Sequence, residues 1–483
     1  MERVKRHWFQ IAIFFLLLIG GILRFWNYQD RWGFAFDQAH DVLVAREGIR
    51  QGKIPLLGPF ASGANVVGGP QWYWAIMIFS LINPRWILTP WVCLTFLYVF
   101  FIYLMVIVGK ELGGKKLGLI VGLIVAFSPL QVSQGVNLTN QSPMALVSAL
   151  AILMAIKYLK TKKLSYAFLL GNFVALGISI HLQGIGLLFI LVAVVILGWP
   201  HSFWKIMAIA LGVVFQFLPW IIFDLNNNFY NLRGLWQYYR WEQYKIWVPN
   251  RWLTYTFSFW PDLWRKIVGG NYWLSLFQGI SLLSVGFYHI FHKKMKKEFL
   301  LVFFSFILIF ISLRYYRGER FESYYVFTHP FVFLLSGWLI LNILNWKKIV
   351  GGIFLLSFIV GSLLQIKTHY QKGTNTLYPL VKEWEQVLKE KFSGEKFAVY
   401  DYEMNTKTQT AALSLVLDID ELIDDGGVKI GISREKLQIP SQAFYNKDGY
   451  YLTDISNIKE EGDKWAFFNP SEIWKGTEEW WKK

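Results

Sequence analysis

Cysteine is almost absent from this sequence, since Cys93 is the only one among 483 residues. A chain with one cysteine forms no internal disulfide and builds no metal site from several thiolates. No cluster of His and Cys with ligand spacing is visible either, so we expect no bound metal. The C-terminal part contains no P-loop, no GxGxxG and no nucleophile motif, which argues against the common soluble enzyme classes.

Acidic residues are scarce in the first three quarters of the chain. Residues 1–366 contain 12 Asp and Glu against 32 Lys and Arg, whereas residues 367–483 contain 20 acidic and 16 basic residues. None of the 12 acids lies in the middle of an apolar run, which argues against a proton or cation relay through a bilayer. The basic excess does not indicate nucleic-acid binding, because much of it lies in short Lys-rich loops.

Long apolar runs are what the sequence contains instead. It is 54% hydrophobic and 18% aromatic, with a mean hydropathy of +0.35, which is more apolar than a soluble domain requires. Several runs reach the roughly 20 residues needed to cross a bilayer. We therefore predict a polytopic α-helical membrane protein with about eleven transmembrane helices. The predicted spans are about 8–26, 86–109, 117–134, 143–159, 166–182, 184–199, 205–223, 272–291, 299–314, 325–344 and 349–366.

The Lys-rich loops predict an orientation. The first run lacks a cleavage site and reads as a retained helix. With the N-terminus inside, every inner loop is short and contains Lys, as the positive-inside rule requires. The outer segments are then 27–85, 135–142, the turn near 181–184, 224–271, 315–324 and the region from 367. Nine of the twelve acids of residues 1–366 fall outside. We therefore expect a multi-pass protein of the cell membrane whose active site and C-terminus are extracytoplasmic.

The first outer segment contains the leading candidate carboxylates. Residues 34–41 read Phe-Ala-Phe-Asp-Gln-Ala-His-Asp, which places Asp37 and Asp41 four residues apart on a predicted amphipathic helix that ends at the glycine at 52. In the simpler interpretation Asp37 caps this helix and Asp41 is a solvated acid of its first turn. The apolar lead-in from Trp32 favours a functional interpretation, because it would draw both acids toward the bilayer surface.

Other outer segments supply candidate binding groups. A second apolar helix begins at Trp72, either as an aromatic anchor in the interface or as a pocket wall. Segments 224–271 and 314–325 are rich in Arg, Trp and Tyr, so they are candidates to hold a lipid phosphate. The simpler interpretations are contact with anionic headgroups and internal Arg–Glu pairing. The candidate donor phosphate or sugar ligands are His181, Gln183, Arg233, Arg240, Arg317, Arg320 and Tyr324, and the candidate pocket-wall residues are His40, Trp72, Tyr73 and Asn137.

The chain changes to a soluble character at Lys367. We predict helices over 377–392 and 408–417 and strands over 396–402 and 428–432. They suffice for one small α/β domain, 367–483, beside a membrane domain, 1–366. The acidic run after Asp418 lacks EF-hand spacing, since its twelfth position is Lys429, so we interpret it as a helix end and a turn.

Several short motifs, in their order along the chain, resemble those of one family. They are Phe36-Asp37-Gln-Ala-His-Asp41, residues 52–59, Gly69-Pro-Gln-Trp-Tyr73, Ser128-Pro129, His181-Leu-Gln183, residues 223–231 and residues 324–330. Over about residues 1–366 the chain resembles the bacterial family-39-type glycosyltransferases of the GT-C fold. These are relatives of the protein O-mannosyltransferases and of the aminoarabinose transferase that modifies lipid A.

The resemblance implies an activity. A sugar would pass with inversion from a polyprenyl-phosphate carrier to a hydroxyl of a glycan, lipid or protein acceptor, with no further cofactor. The family's catalytic Asp corresponds to Asp37, with Asp41 as the second candidate. The family pattern also predicts an arginine near Gln134 and an acid in the same segment. This chain has neither, so the motifs do not identify the phosphate ligand.

Three alternatives stay open. A lipid-linked oligosaccharide transferase or polymerase would belong to the same class. A transporter or flippase for lipid-linked sugars would be a different class, but the sequence lacks midspan charges and inverted repeats. A catalytically inactive scaffold with a sugar-binding C-terminal domain is the third.

Overall fold

A computed structural model gives the structure of residues 2–60, 66–241, 250–292, 295–316, 320–373, 375–402, 405–434, 443–456 and 465–467. The chain is mainly helical, as apolar runs require, because a helix satisfies its own backbone groups in a bilayer. The helices are α1 (Glu2–Phe25), α2 (Phe36–Gln51), α3 (Gln71–Ile82), α4 (Thr89–Gly113), α5 (Lys115–Ala126), α6 (Pro129–Gln134), α7 (Met144–Thr161), α8 (Leu164–Ile180), α9 (Leu188–Gly198), α10 (Phe203–Asn226), α11 (Tyr230–Arg240), α12 (Arg251–Leu253), α13 (Trp260–Val268), α14 (Tyr272–Phe291), α15 (Lys297–Tyr315), α16 (His329–Trp346), α17 (Lys348–Gln371), α18 (Leu377–Lys391) and α19 (Lys407–Ile419). Short 3-10 helices cover Tyr28–Asp30, Leu182–Leu187 and Glu322–Thr328, and a π-helical segment covers Thr254–Phe259.

The membrane class predicted from the sequence is confirmed. Within the described ranges, eight helices are long and apolar enough to cross a bilayer, and three apolar helices are shorter. The eight are α1, α4, α7, α10, α14, α15, α17 and α16 with the 3-10 turn before it. Each predicted span is helical over most of its length. The number of spans and their orientation stay predictions.

The span predicted over 117–134 is not one continuous helix. The helix α5 ends at Ala126, and α6 begins at Pro129 after Ser128. The Ser128 hydroxyl accepts a hydrogen bond from the backbone N–H of Gln131 at 3.3 Å. A proline at the first helical position also favours the start of a new helix. The carbonyls left at the end of α5 are satisfied by the buried Arg24, which donates to Val125 and Ala126 at 3.1 and 3.2 Å.

The two ends of the helical bundle differ in chemistry. Lys-rich loops meet at one end, where Lys160 donates to the Glu111 carboxylate at 2.9 Å and Lys162 donates to the Gly198 carbonyl at 2.7 Å. Since α8 starts at this end, its last residue, Ile180, lies at the opposite end. There the Ile180 carbonyl accepts a hydrogen bond from Asn140 at 3.2 Å. The candidate residues of the first loop lie at this second end.

The C-terminal region has the predicted α/β character, and its described residues form a sheet of five strands, three more than predicted. The strands are β1 (Phe397–Tyr402), β2 (Val428–Ser433), β3 (Ala443–Lys447), β4 (Tyr450–Asp454) and β5 (Trp465–Phe467). Their order is β3-β4-β2-β1-β5, with β1 and β2 parallel and the other pairs antiparallel. Both predicted helices and both predicted strands are present, as α18, α19, β1 and β2. The domain boundary at 366/367 stays a prediction.

One apolar core joins the first loop to the C-terminal region. It contains Ala39, Leu43 and Trp72 from the loop helices together with Trp384 and Leu415 from the C-terminal helices. The helix α2 is therefore covered by α3 on one side and by α19 on another, and most of its residues are buried. This arrangement fixes the position of the helix that carries Asp37 and Asp41.

Candidate functional site

The helix α2 forms as predicted, but its cap is not the predicted residue. The N-cap position is Ala35, which makes no side-chain cap, and Asp37 is the second helical residue. The interpretation of Asp37 as the N-cap is therefore wrong. At the other end Gly52 has a φ of 64°, a left-handed conformation that glycine adopts without strain, so the helix stops where predicted.

Asp41 is a buried carboxylate rather than a solvated one. Its residue is only 4% exposed. The Trp72 indole donates to one oxygen at 2.7 Å and the His40 imidazole lies 3.1 Å from the other. The Tyr73 phenol also interacts with this carboxylate. These partners satisfy the charge, so Asp41 is suited to orient the helix, and the predicted wall residues His40, Trp72 and Tyr73 surround it.

Asp37 has the opposite environment. Its side chain is open to solvent, and it makes no hydrogen bond or ion pair with any described residue. The surrounding protein nevertheless desolvates the carboxyl in part, which raises its pKa above the ordinary value. The charge of Asp41 adds to the rise, whereas His40 and Lys407 oppose it. An accessible, unpaired carboxylate with a raised pKa has the properties of a general base.

Hydrogen bonds between four chain segments form a ring at this end of the bundle, which we call the polar ring. Gln38 of α2 donates to the Asn137 side chain at 2.8 Å, and Asn140 donates to the Ile180 carbonyl. Ser179 donates to Gln71 at 2.6 Å. Trp72, which follows Gln71, closes the ring by donating to Asp41 of α2. The predicted residue Asn137 is thereby held against Gln38, the residue that follows Asp37. Gly69 is required here, because a β-carbon would lie 1.8 Å from the Ser179 hydroxyl.

A large apolar cavity begins next to the polar ring. Its volume is about 1280 Å³, and it lies between the 3-10 segment after His181, α11 and α15. The walls are mainly Leu, Ile, Val and aromatic side chains, with Gln183 and Arg233 among the few polar ones. Both were predicted donor ligands. Tyr238 and Tyr316 also line the cavity and share a hydrogen bond of 3.1 Å.

Arginines cluster close to the tyrosines of this cavity. Arg251 donates to the Tyr316 carbonyl at 2.6 Å. Arg314 stacks over Trp252 at 4.6 Å, and Arg320 stacks over Tyr255 at 5.0 Å. Two buried guanidinium nitrogens of Arg320 have no hydrogen-bond partner, and among the described residues neither Arg314 nor Arg320 pairs with a carboxylate. We call Arg251, Arg314 and Arg320 the arginine cluster. The unpartnered nitrogens of Arg320 are donors suited to an anion.

The cavity, the arginine cluster and the polar ring are neighbours. His181 directly follows the ring residue Ile180, and its ring lies 5.4 Å from that of Tyr324. Tyr324 precedes Tyr325, whose hydroxyl is close to Arg320 and Arg251. Burial lowers the pKa of His181 to about 4, so the imidazole is neutral at pH 7. The contact between His181 and Tyr324 thus joins the end of the polar ring to the segment that contains Arg320.

Some predicted residues are not part of this arrangement. Arg240 stacks over Trp236 and Trp241 at 5.3 and 5.6 Å and does not line the cavity. Glu322 pairs with Lys266 of α13, so the predicted Arg–Glu pairing within its own loop does not account for it. Trp32 packs on Trp91 at 5.0 Å and so holds α2 against protein rather than lipid. Arg317 lies outside the described residues.

The sequence interpretation missed the contribution of the C-terminal region. Lys407, the first residue of α19, places its ammonium 4.2 Å from the centre of the Phe36 ring. Asp418, at the other end of α19, accepts hydrogen bonds from Arg46 and Arg50 of α2. A single lysine and a single aspartate carry no local signal of this kind, because their partners lie about 370 residues away in the chain.

No three His, Cys, Asp or Glu side chains approach closely enough to hold a metal ion in the part of the chain that the structure covers. Metal independence stays a prediction. The site as described offers a candidate carboxylate base, a candidate anion site and an apolar cavity, and this set would suit a lipid-linked phosphorylated substrate.

Comparison with known proteins supports the predicted resemblance. Residues 68–223 match the family model described as dolichyl-phosphate-mannose-protein mannosyltransferase. The matched range includes Gln183 of the cavity and Trp72 of the polar ring, but it does not include α2. No curated protein matches the sequence significantly.

Solved structures share the fold over nearly the whole chain. ArnT from Cupriavidus metallidurans in the apo state is 12% identical with a TM-score of 0.65, covering 93% of this chain and 98% of its own. The same protein bound to undecaprenyl phosphate is 11% identical with a TM-score of 0.63, covering 92% and 97%. The Archaeoglobus fulgidus oligosaccharyltransferase is 13% identical with a TM-score of 0.54, covering 86% of this chain and 64% of its own. The predicted GT-C-like fold is confirmed.

Proposed function

We propose that this protein is a membrane glycosyltransferase that moves a sugar from a polyprenyl-phosphate carrier to a hydroxyl acceptor. The observation that carries the proposal is the succession of an apolar cavity, an arginine cluster and an unpaired carboxylate at one end of the bundle. The similarity of the fold to ArnT, which has been crystallised with undecaprenyl phosphate, supports the same class of carrier.

Each part of the donor has a matching surface. The polyprenyl chain lies in the cavity, whose walls are mainly apolar. The phosphate lies between Arg233 at the cavity and Arg320 of the cluster, because free guanidinium groups bind phosphate oxygens through several hydrogen bonds. The sugar then extends past His181 and Tyr324 toward the polar ring. The neutral imidazole of His181 suits contact with sugar hydroxyls.

The chemical step uses Asp37 as the base. Its carboxylate takes the proton of the acceptor hydroxyl, and the oxygen attacks the anomeric carbon on the face opposite the phosphate. The bond between this carbon and the phosphate oxygen breaks, and the polyprenyl phosphate leaves with the electron pair. The arginines stabilise the charge that develops on the leaving phosphate. Asp41, held by Trp72 and His40, fixes the helix instead of reacting.

The test is the Asp37→Asn variant in lipid nanodiscs, supplied with a panel of undecaprenyl-phosphate-linked hexoses and pentoses and with cell-envelope extract as acceptor. Release of undecaprenyl phosphate is measured, since this product is common to all such donors. General base catalysis contributes roughly 10²- to 10⁴-fold, so the release rate should fall at least about 100-fold. The Asp30→Asn variant, which changes an exposed acid just before the site, should release the product at the wild-type rate. A fully active Asp37→Asn variant would remove Asp37 as the base.

The same assay separates the alternatives. An oligosaccharide transferase would use lipid-linked oligosaccharides and leave single-sugar donors unchanged. A flippase would move the donor between leaflets with no release of free undecaprenyl phosphate, and the Asp37→Asn variant would still move it.

We also propose that the site faces the extracytoplasmic side of the cell membrane, with the C-terminal domain beside it. The support is the separation of the Lys-rich loops from the polar ring, since Lys-rich loops are retained on the cytoplasmic side. In a Cys93→Ser background, an impermeant maleimide added to intact spheroplasts should label Asp30→Cys and spare Lys163→Cys. The reverse labelling pattern would contradict this orientation.

A further inference from the structure

The first residue of α19 brings a positive charge to the candidate base. The Lys407 ammonium lies 4.2 Å from the centre of the Phe36 ring, and Phe36 directly precedes Asp37. The lysine is exposed, and it makes no hydrogen bond or ion pair with the residues that the structure describes. Its position on an aromatic face is favourable for a cation and keeps the ammonium at this place.

The position of Lys407 is fixed from the far end of its helix. Asp418 is almost completely buried and accepts hydrogen bonds from the Arg46 and Arg50 side chains of α2. Arg46 also donates to the Asp418 carbonyl at 3.3 Å and to the Pro84 carbonyl at 2.6 Å. Since α19 is attached to α2 at Asp418 and packs along it, Lys407 is held one helix length away, over Phe36 and within electrostatic reach of Asp37.

We propose that Lys407 is a positioning residue of the active site, a cation that the C-terminal region supplies to keep the Asp37 carboxylate ionised and ready to accept a proton. This inference rests on the proposed function, because it requires Asp37 to be the base. The C-terminal region is therefore part of the catalytic unit rather than an appended binding domain.

The charges around Asp37 show why such a cation is needed. On α2 itself, Asp41 repels a second negative charge and His40 opposes that repulsion. From α3, the Tyr73 phenol faces both carboxylates. Lys407 is the cation that reaches Asp37 from α19. Because desolvation and Asp41 both favour the protonated acid, loss of Lys407 leaves a weaker opposing charge, and Asp37 should then hold its proton to higher pH.

The experiment measures the protonation of Asp37 directly and needs no substrate. A water-soluble carbodiimide with excess glycine ethyl ester labels protonated carboxyl groups, and mass spectrometry of the digested full-length protein quantifies the Asp37 peptide from pH 4 to 8. In Lys407→Met the midpoint of labelling should move up by roughly half a pH unit, the size expected for one unit charge several ångströms away in a partly solvated site. Lys407→Arg keeps the charge and should keep the wild-type midpoint.

Asp30, an exposed acid on the same loop, is the internal control, and its midpoint should be the same in all three proteins. An unchanged Asp37 midpoint in Lys407→Met would overturn the inference, as would an equal shift in Lys407→Arg. The result is independent of the transfer assay. An active Asp37→Asn variant would refute the proposed base, whereas an inactive Asp37→Asn variant with an unshifted Lys407→Met midpoint would refute the role of Lys407 alone.

Discussion

The attachment of α19 to α2 gives the sharpest prediction about stability. The Asp418→Asn substitution removes the one negative charge that faces both Arg46 and Arg50. Removal of one partner from a buried ion pair costs about 3–5 kcal/mol. The Arg50 side chain is 52% exposed and can be rehydrated, and the asparagine oxygen still accepts one hydrogen bond. We therefore expect a loss of about 2 kcal/mol at this interface.

This loss should appear as faster local opening. A change of about 2 kcal/mol corresponds to a roughly 30-fold larger open population. Amides of α19 that exchange only when it separates from α2 should then exchange about 30-fold faster, as measured by hydrogen–deuterium exchange and mass spectrometry of the full chain in nanodiscs.

The matched control is Glu383→Gln. It breaks contacts of the same type within the C-terminal region, to Tyr445 at 2.7 Å and to Lys447 at 2.6 Å, but touches nothing in α2. Exchange in α19 should be unaffected by this control. Equal exchange rates in Asp418→Asn and Glu383→Gln would refute the reasoning, because they would mean that the two arginines do not hold α19.

Two further predictions concern the buried Asp41 and the cavity. Trp72→Phe keeps the ring but removes the donor to the buried Asp41, so it should lower the free energy of unfolding by about 1–3 kcal/mol and slow undecaprenyl phosphate release. Trp74→Phe loses an equivalent bond to the Pro55 carbonyl at 2.7 Å, and the idea fails if it slows release as much as Trp72→Phe. Ser312→Trp places a large ring in the cavity and should weaken undecaprenyl phosphate binding about tenfold, measured by native mass spectrometry. Ile311→Trp, on the same helix but outside the cavity, should bind normally, and equal binding by both variants would show that the lipid lies elsewhere.

Local patterns were sufficient to predict most of the elements. Apolar runs predicted the helices, and the short loop helix with Asp37 was found from its terminating glycine and its spacing. The break between α5 and α6 also has a local signal, because Ser128-Pro129 combines a good cap with a proline at the first helical position. The prediction of one span over 117–134 gave more weight to hydropathy than to this dipeptide.

Long-range contacts account for what the sequence did not reveal. The difference between Asp37 and Asp41 depends on Trp72, a residue 31 positions from Asp41, and no spacing rule connects them. The arginine near Gln134 is absent, and the candidate cationic groups lie instead in segments after residue 232. Arg24, a basic residue at the end of the first span, donates to the carbonyls at the end of α5. Its buried side chain is therefore unavailable to a phosphate. Roles of this kind follow from packing and cannot be read from residue type.

The contact between Arg46 and Asp418 also sets an order of assembly during synthesis. The two residues are 372 positions apart, so at roughly 5–20 residues per second the ribosome needs roughly 20–75 s to supply the partner of the first loop. During this interval the apolar faces of α2 that later pack on α19 have no native partner. A nascent chain that stops before α19 is therefore expected to insert its transmembrane helices while the proposed active site still lacks the support of α19. On the proposed mechanism, such a chain should be inactive rather than partly active.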